Sequence, residues 1–125
     1  MARNNTDIGR AGEFLAAYIL ETHGIEVHHV DRAGADLWCK VRGSITTVQV
    51  KTSQAAAQNT KRSFLYYTYR TQPSDAKWYA FVALDRQLLV MRRMALVTAS
   101  TTRLAPSEFN EANQRRTIEE MVNSC

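Results

Sequence analysis

Cysteine and proline are both scarce in this sequence, with two of each among 125 residues. The two cysteines, Cys39 and Cys125, are too few for a disulfide framework or for a zinc site built from thiolates. A chain of this length can bury a stable apolar core without such cross-links. The simplest interpretation is a protein of a reducing, intracellular compartment.

Long apolar runs are absent as well. No stretch approaches the roughly 20 consecutive apolar residues of a membrane-spanning helix, and the first ten residues, MARNNTDIGR, contain no apolar signal core. We therefore expect no membrane partner. Hydrophobic residues make up 45% and charged residues 22% of the chain, which is typical of a globular protein. The length fits one domain over residues 1–125.

Positive charge is in slight excess. The chain has 16 lysines and arginines against 12 aspartates and glutamates, a formal net charge of +4. This balance permits a polyanionic partner such as nucleic acid but does not require one. Function therefore has to be argued from particular residues and their spacing.

The spacing of apolar residues predicts a first helix over residues 7–23. Its apolar stripe consists of Ile8, Ala11, Leu15 and Ile19. Gly24 can end the helix because glycine takes a positive φ at low cost. Gly9 and Gly12 each cost about 1 kcal/mol relative to alanine inside a helix, and their missing side chains can let another backbone come close.

After Gly24 the apolar period changes from that of a helix to that of a strand. Strands are predicted over residues 25–30, 35–41, 45–52, 63–70, 78–85 and 88–93. Residues 53–60 could be a short helix or a mobile loop. Pro106 suits the first position of a closing helix that contains Ile118 and Met121. This order predicts an α/β domain with a central mixed β-sheet flanked by helices.

The second and third predicted strands form a hairpin, and either possible turn brings the same polar residues together. A two-residue turn at 43–44 pairs Asp36 with Lys51, whereas a turn at 42–43 pairs Asp36 with Gln49. Cross-strand partners share a face of the sheet. Both turns therefore place Asp36, Gln49 and Lys51 on one side and at one end of the hairpin.

These three side chains suit metal-assisted hydrolysis. The Asp36 carboxylate and the Gln49 carbonyl oxygen can bind Mg²⁺, with the backbone carbonyl of Val50 as a further ligand. A metal-bound water is acidified and becomes a nucleophile, and Lys51 can orient it and offset charge on a phosphate. The alternative is a solvated sheet face with an Asp36–Lys51 ion pair worth about 0–1 kcal/mol.

The segments GADL around Asp36 and VQVKTS around Gln49 and Lys51 resemble the PD-(D/E)xK nuclease superfamily. The upstream segment GEFLAAYILETHG resembles the first helix of these nucleases, and the resemblance covers about residues 8–53. It implies a restriction-endonuclease-like core, with residues 1–125 forming one nuclease-like domain. In that superfamily the acidic residues bind divalent cations and the lysine assists phosphodiester hydrolysis.

The resemblance also implies a residue set for the site. Carried over position by position, it consists of Glu13, Asp36, Gln49 and Lys51. Glu13, Asp36, Gln49 and the Val50 carbonyl would hold Mg²⁺, for which Mn²⁺ would substitute. Gln49 stands where the family usually has an acidic ligand, so the site carries one negative charge fewer and should hold metal less tightly. It is similar in this respect to the QxK variant of some homing nucleases.

The function implied by the resemblance is a Mg²⁺-dependent DNA endonuclease in the cytoplasm of a bacterial, archaeal or phage-infected cell. Both a site-specific nuclease, homing- or restriction-like, and a Holliday-junction resolvase fit the pattern. Cutting both strands requires two sites, so we expect a homodimer or a tetramer of dimers. Candidate phosphate contacts are Arg10, one turn before Glu13, and the pair Lys61 and Arg62.

Two other hypotheses remain open at this stage. The neutral Gln49 favours a non-catalytic nucleic-acid-binding module that retains the nuclease fold. A protein-interaction module without a nucleic-acid partner is the other.

Overall fold

The computed structural model describes residues 5–32, 35–58 and 65–125. Within these residues the helices are α1 (Asn5–Thr22) and α2 (Glu111–Asn123). The strands are β1 (Glu26–Arg32), β2 (Ala35–Val41), β3 (Ser44–Ser53), β4 (Ala57–Gln58), β5 (Leu65–Arg70), β6 (Trp78–Ala83), β7 (Leu88–Arg93) and β8 (Thr101–Leu104). Short 3₁₀ turns cover Met94–Leu96 and Pro106–Glu108.

A five-stranded mixed sheet in the order β1-β2-β3-β6-β7 forms the centre of the fold. Only β3 and β6 run parallel, and the other neighbouring strands are antiparallel. Both helices cover one face, where Leu20 of α1 and Met121 of α2 share a core with Val48 and Ala80. The prediction of an α/β fold with a mixed central sheet and flanking helices is confirmed.

A second sheet, in the order β4-β5-β8, covers the other face of β6 and β7. Its Tyr67 and Tyr69 are buried against Phe81 and Val90 in a second core. Every residue of β6 is therefore buried, as the apolar run over 78–85 predicts for a strand covered on both sides. No helix among the described residues is long and apolar enough to cross a membrane.

Three segments differ from the sequence-based expectation. Residues 57–58 form strand β4, so a short helix over 53–60 is wrong. Strand β8 was not expected, because its four residues carry no clear alternation. Pro106 begins a 3₁₀ turn and not α2. The helix starts later because the Asn110 side chain accepts a hydrogen bond from the Asn113 N–H at 2.8 Å and caps it there.

Helix α1 begins at Asn5 and ends at Thr22, close to the predicted bounds, and Gly24 follows it with φ +81°. The predicted apolar stripe is only partly correct. Its residue Ile19 is buried and Leu15 packs against the core, whereas Ile8 and Ala11 are half-buried. The buried face of the helix also includes Gly12, Ala16 and Leu20, and its glycine lets the helix lie close to the sheet.

The closest approach is between Gly12 and Thr52 of β3. A Cβ atom built on Gly12 would lie 1.8 Å from Thr52 Oγ1 and 2.8 Å from Thr52 Cβ. Any side chain at position 12 would therefore push the helix away from the strand. A missing side chain was expected to let another backbone come close; at Gly12 the group that comes close is the Thr52 side chain, whereas nothing lies within 4 Å of a Cβ built on Gly9.

We predict opposite effects for alanine at these two glycines. Gly12→Ala should lower the free energy of unfolding by about 1–2 kcal/mol, because an overpacking cost of about 1–3 kcal/mol exceeds the gain in helix propensity. Gly9→Ala is the matched control and should raise it by up to about 1 kcal/mol. Urea denaturation measures both, and equal effects of the two substitutions would contradict the close contact.

Candidate functional site

The hairpin between β2 and β3 turns at Arg42 and Gly43, both of which have positive φ, at 51° and 80°. Two positive φ angles are typical of the type I′ turn that joins antiparallel strands in two residues. The resulting register pairs Leu37 with Val48. Continued by one residue, it sets Asp36 opposite Gln49, which is one of the two arrangements that the sequence allows.

Asp36 lies just beyond the last paired residues of the β2–β3 ladder. Its carboxylate oxygen Oδ2 accepts a hydrogen bond from the backbone N–H of Val50 at 2.8 Å. If the ladder continued, that N–H would bond to the backbone of Ala35. The side chain of Asp36 thus replaces a backbone partner, and its position relative to β3 is fixed.

The same bond indicates where the Val50 carbonyl points. Residues in an antiparallel ladder exchange both backbone bonds with one partner, so the N–H and C=O of a residue point the same way. The Val50 C=O is therefore directed toward the strand edge that Asp36 occupies. Val50 itself also lines the cleft described next.

One cleft of about 620 Å³ gathers the residues selected from the sequence. Its lining residues are Thr6, Gly9, Arg10, Glu13, Asp36, Gln49, Val50 and Lys51. Helix α1 supplies one wall and the end of the hairpin supplies the other. Glu13, Asp36, Gln49 and Lys51 are all half-buried, so each side chain is partly held by the fold and partly accessible from the cleft.

Gln49 is held in place from the far side of the cleft. Its Oε1 accepts a hydrogen bond from the Ser74 hydroxyl at 3.2 Å, and the Ser74 Oγ in turn accepts the backbone N–H of Ala76 at 3.3 Å. Ser74 belongs to the loop between β5 and β6. Local sequence patterns do not predict this contact, because it depends on the parallel pairing of β3 with β6, which sets Gln49 beside Tyr79.

The alternative explanation of Asp36, Gln49 and Lys51 is a solvated sheet face with an Asp36–Lys51 ion pair. Among the described residues, Asp36 and Lys51 make no ion pair within 4 Å; the salt bridges there are His28–Glu26, Arg92–Glu108 and Arg116–Glu120. Nor does this part of the chain hold a cluster of three or more His, Cys, Asp or Glu side chains. The carboxylate residues that line the cleft are Glu13 and Asp36, and Gln49 adds a side-chain amide beside them.

Two larger cavities lie elsewhere and offer less chemistry. One of about 810 Å³ between α2 and β7 contains Glu108 and Glu120, but each of these carboxylates is paired with an arginine, at 2.7 Å in the case of Arg92–Glu108. The other, of about 760 Å³, borders Met94 and contains no carboxylate side chain. Neither one brings a carboxylate and a lysine to the end of a hairpin.

The remaining predicted contacts divide into two groups. Arg10 is exposed and lines the cleft together with Glu13, as its place one turn earlier in α1 predicts. Lys61 and Arg62 fall outside the described residues. Besides Ser74, sequence reasoning missed Phe14 and His29, which line a second cleft of about 340 Å³ adjoining the first.

The chain is similar in fold to the bacterial homing endonuclease I-Ssp6803I, with a TM-score of 0.76 over 98% of this chain and 94% of that one. The two sequences are 15% identical, so the likeness is one of fold. No family model matches the sequence, and no curated protein matches it. The nuclease-like fold expected from the sequence is thus supported by a comparison that does not rely on the short motifs.

The Asp36–Val50 bond leads to a prediction about folding alone. Asp36→Ala should lower the free energy of unfolding by about 1–2 kcal/mol and speed hydrogen exchange at the Val50 amide about tenfold, because that N–H loses its acceptor. Asp36→Asn is the control, since it keeps an oxygen acceptor, and should retain most of the protection. Equal exchange at Val50 in both variants would show that the carboxylate does not hold this strand.

Proposed function

We propose that this chain is a Mg²⁺-dependent DNA endonuclease of the PD-(D/E)xK type, with residues 1–125 forming one nuclease domain. The observation that carries the proposal is the convergence of Glu13, Asp36, Gln49 and Lys51 on one cleft at the end of the β2–β3 ladder. The nuclease-like fold supports it independently.

The oxygen donors at the cleft fit a hard divalent cation. Asp36 would supply a carboxylate, Val50 its backbone carbonyl and Gln49 its amide oxygen, with Glu13 as a second carboxylate from α1. Mg²⁺ favours such oxygen ligands and keeps several of its waters, so a few protein ligands are enough. When bound, the cation would acidify a water and neutralise charge on the phosphate, and Mn²⁺ would substitute for it.

Lys51 would act on the phosphate and on the attacking water. Lys51 lines the cleft together with Gln49, which lies two residues earlier in β3. Because it makes no ion pair with Asp36 in the described structure, its charge is available to a bound anion. A preorganised cation of this kind stabilises the charge that develops on a phosphate during hydrolysis.

The substrate would be DNA, with Arg10 as a phosphate contact at the mouth of the cleft. Cutting both strands requires two such sites related by symmetry, so we propose a homodimer or a tetramer of dimers that acts inside a cell. Site-specific cutting and junction resolution both agree with the cleft, and plasmid and four-way-junction substrates separate them.

A second candidate function is a nucleic-acid-binding module without catalysis. Gln49 favours it, because a neutral amide that already accepts the Ser74 hydroxyl is a weaker metal ligand than a carboxylate. The cleavage assay distinguishes this module from the nuclease.

In that assay, we expect the wild-type protein to cut DNA with Mg²⁺ or Mn²⁺. Lys51→Ala should reduce the cleavage rate by about 10²–10³-fold, because an electrostatic contact to the developing charge is lost. Asp36→Asn should reduce it at least as much while keeping the bond to Val50.

Lys40→Ala is the matched control for the loss of a lysine. Lys40 is exposed on the same strand as Asp36, about 13 Å along it, and does not line the cleft. The cleavage rate of the Lys40→Ala variant should stay within about twofold of that of the wild type, because the lost charge is distant from the cleft and is screened by salt. If the wild-type protein binds DNA but cuts neither substrate with either metal, the non-catalytic module is correct.

The role of Gln49 gives a separate prediction. Gln49→Glu should lower the Mg²⁺ concentration for half-maximal cleavage by about tenfold, because the added negative charge strengthens metal binding. Calcium binding by calorimetry should tighten in parallel. Gln54→Glu adds the same charge at an exposed position outside the cleft and should change neither value. If Gln49→Glu and Gln54→Glu had the same half-maximal Mg²⁺ concentration and the same calcium affinity, Gln49 would not be a metal ligand.

A further inference from the structure

Helix α1 exposes two large aromatic rings beside the cleft. Phe14 is 59% exposed and Tyr18 is 67% exposed, and they lie four residues apart, on the same stripe as Arg10. Residues at this spacing are neighbours on a helix surface. The buried side chains of α1 lie on its opposite side, so most of the surface of each ring stays exposed.

Phe14 continues the wall of the candidate active-site cleft, and Tyr18 lies one turn farther along α1. A second cleft of about 340 Å³ is lined by Arg10, Glu13, Phe14, His29, Val30 and Asp36. Three of these residues, Arg10, Glu13 and Asp36, also line the first cleft. The His29 ring of β1 lies 5.0 Å from the Phe14 ring at an angle of 51°. Phe14 keeps more than half of its surface exposed beside this contact.

We propose that Phe14, Tyr18 and His29, which we call the aromatic ridge, bind an unpaired stretch of the DNA strand that leaves the cleft. This inference rests on the proposed function and narrows its substrate to DNA with unpaired nucleotides next to the cut. Arg10 holds a phosphate where the two clefts meet, and successive bases stack on Phe14 and Tyr18.

The chemistry of the ridge favours an unpaired strand over a duplex. Phe14 has no hydrogen-bonding group with which to read the edge of a base, so it can offer only its face. In a duplex the base faces are already covered by their neighbours, whereas unpaired bases expose them. Proteins hold single-stranded nucleic acid by stacking its bases on exposed aromatic rings beside cationic side chains. Here the cation is Arg10, which shares the second cleft with the carboxylates of Glu13 and Asp36.

A second copy of the chain is a poorer occupant. An aromatic side chain has about 150–250 Å² of surface, so the exposed parts of Phe14 and Tyr18 together amount to roughly 200–300 Å². A stable interface buries about 800 Å² on each partner. A copy seated on the ridge would also cover the mouth of the cleft, since Arg10, Glu13 and Asp36 are shared between the two.

The test measures binding without divalent metal, so that no cleavage is needed. The probes are a labelled duplex, the same duplex with an unpaired gap, and the single strand. Phe14→Ala and Tyr18→Ala should each weaken binding to the gapped and single-stranded probes by about tenfold, with little change on the duplex. Phe14→Leu, which keeps apolar bulk but not the flat ring, should behave like Phe14→Ala, and Phe14→Trp should retain binding.

The matched controls are Ile45→Ala and Leu96→Ala, which remove exposed apolar side chains, 61% and 78% exposed, that line neither cleft. They should bind all probes as the wild type does. The inference would be overturned if the ridge variants bound the duplex as weakly as the gapped probe, or if Phe14→Leu bound as the wild type does. It would also be overturned if the ridge variants changed their oligomeric state, because the ridge would then be an interface between copies.

The two proposals fail separately. If the wild type cuts DNA but the ridge variants bind the gapped probe normally, the ridge is wrong and the nuclease stands. If the ridge variants lose binding to the gapped probe but the wild type never cuts DNA, the inference about the ridge is correct and the protein is a non-catalytic binding module.

Discussion

The contact between Gly12 and Thr52 fixes the distance between α1 and β3, and the candidate site depends on that distance. Glu13 follows Gly12 in the helix, and Lys51 precedes Thr52 in the strand, so the two site residues flank the tightest point between the two elements. The Thr52 hydroxyl is buried there without a hydrogen-bond partner among the described residues. An unsatisfied buried hydroxyl costs about 1–3 kcal/mol, which the close packing of helix on sheet has to offset.

The hairpin supplies the second constraint. A turn with two positive φ angles sets the β2–β3 register, and the register decides which face each side chain of the hairpin takes. Asp36 then ends the ladder by accepting the Val50 N–H, so its carboxylate lies at the edge of β3. Helix position and strand register are independent of each other, and the cleft forms only because both are fixed by backbone geometry.

The part of this arrangement that the sequence predicts is the part that depends on local periodicity. Alternation in β3 and the length of the turn place Asp36, Gln49 and Lys51 together under either register. The Ser74 contact to Gln49 and the second sheet could not be predicted in this way, because both depend on pairings between strands distant in sequence. The stripe of α1 was predicted only in part because the pattern weighs large apolar residues, whereas the buried face of this helix also includes Gly12 and Ala16 beside Ile19 and Leu20.

Gln49 shows how local and long-range constraints combine at the site. A carboxylate at this position would face Asp36 across the strand pair and add a second negative charge beside it, which a bound cation would have to neutralise. The amide avoids that repulsion when no cation is bound, and the Ser74 hydroxyl restricts its orientation. In the proposed metal site, Oε1 would have to serve the Ser74 hydroxyl and the cation together, so the loop that carries Ser74 would help to set how tightly the cation is held.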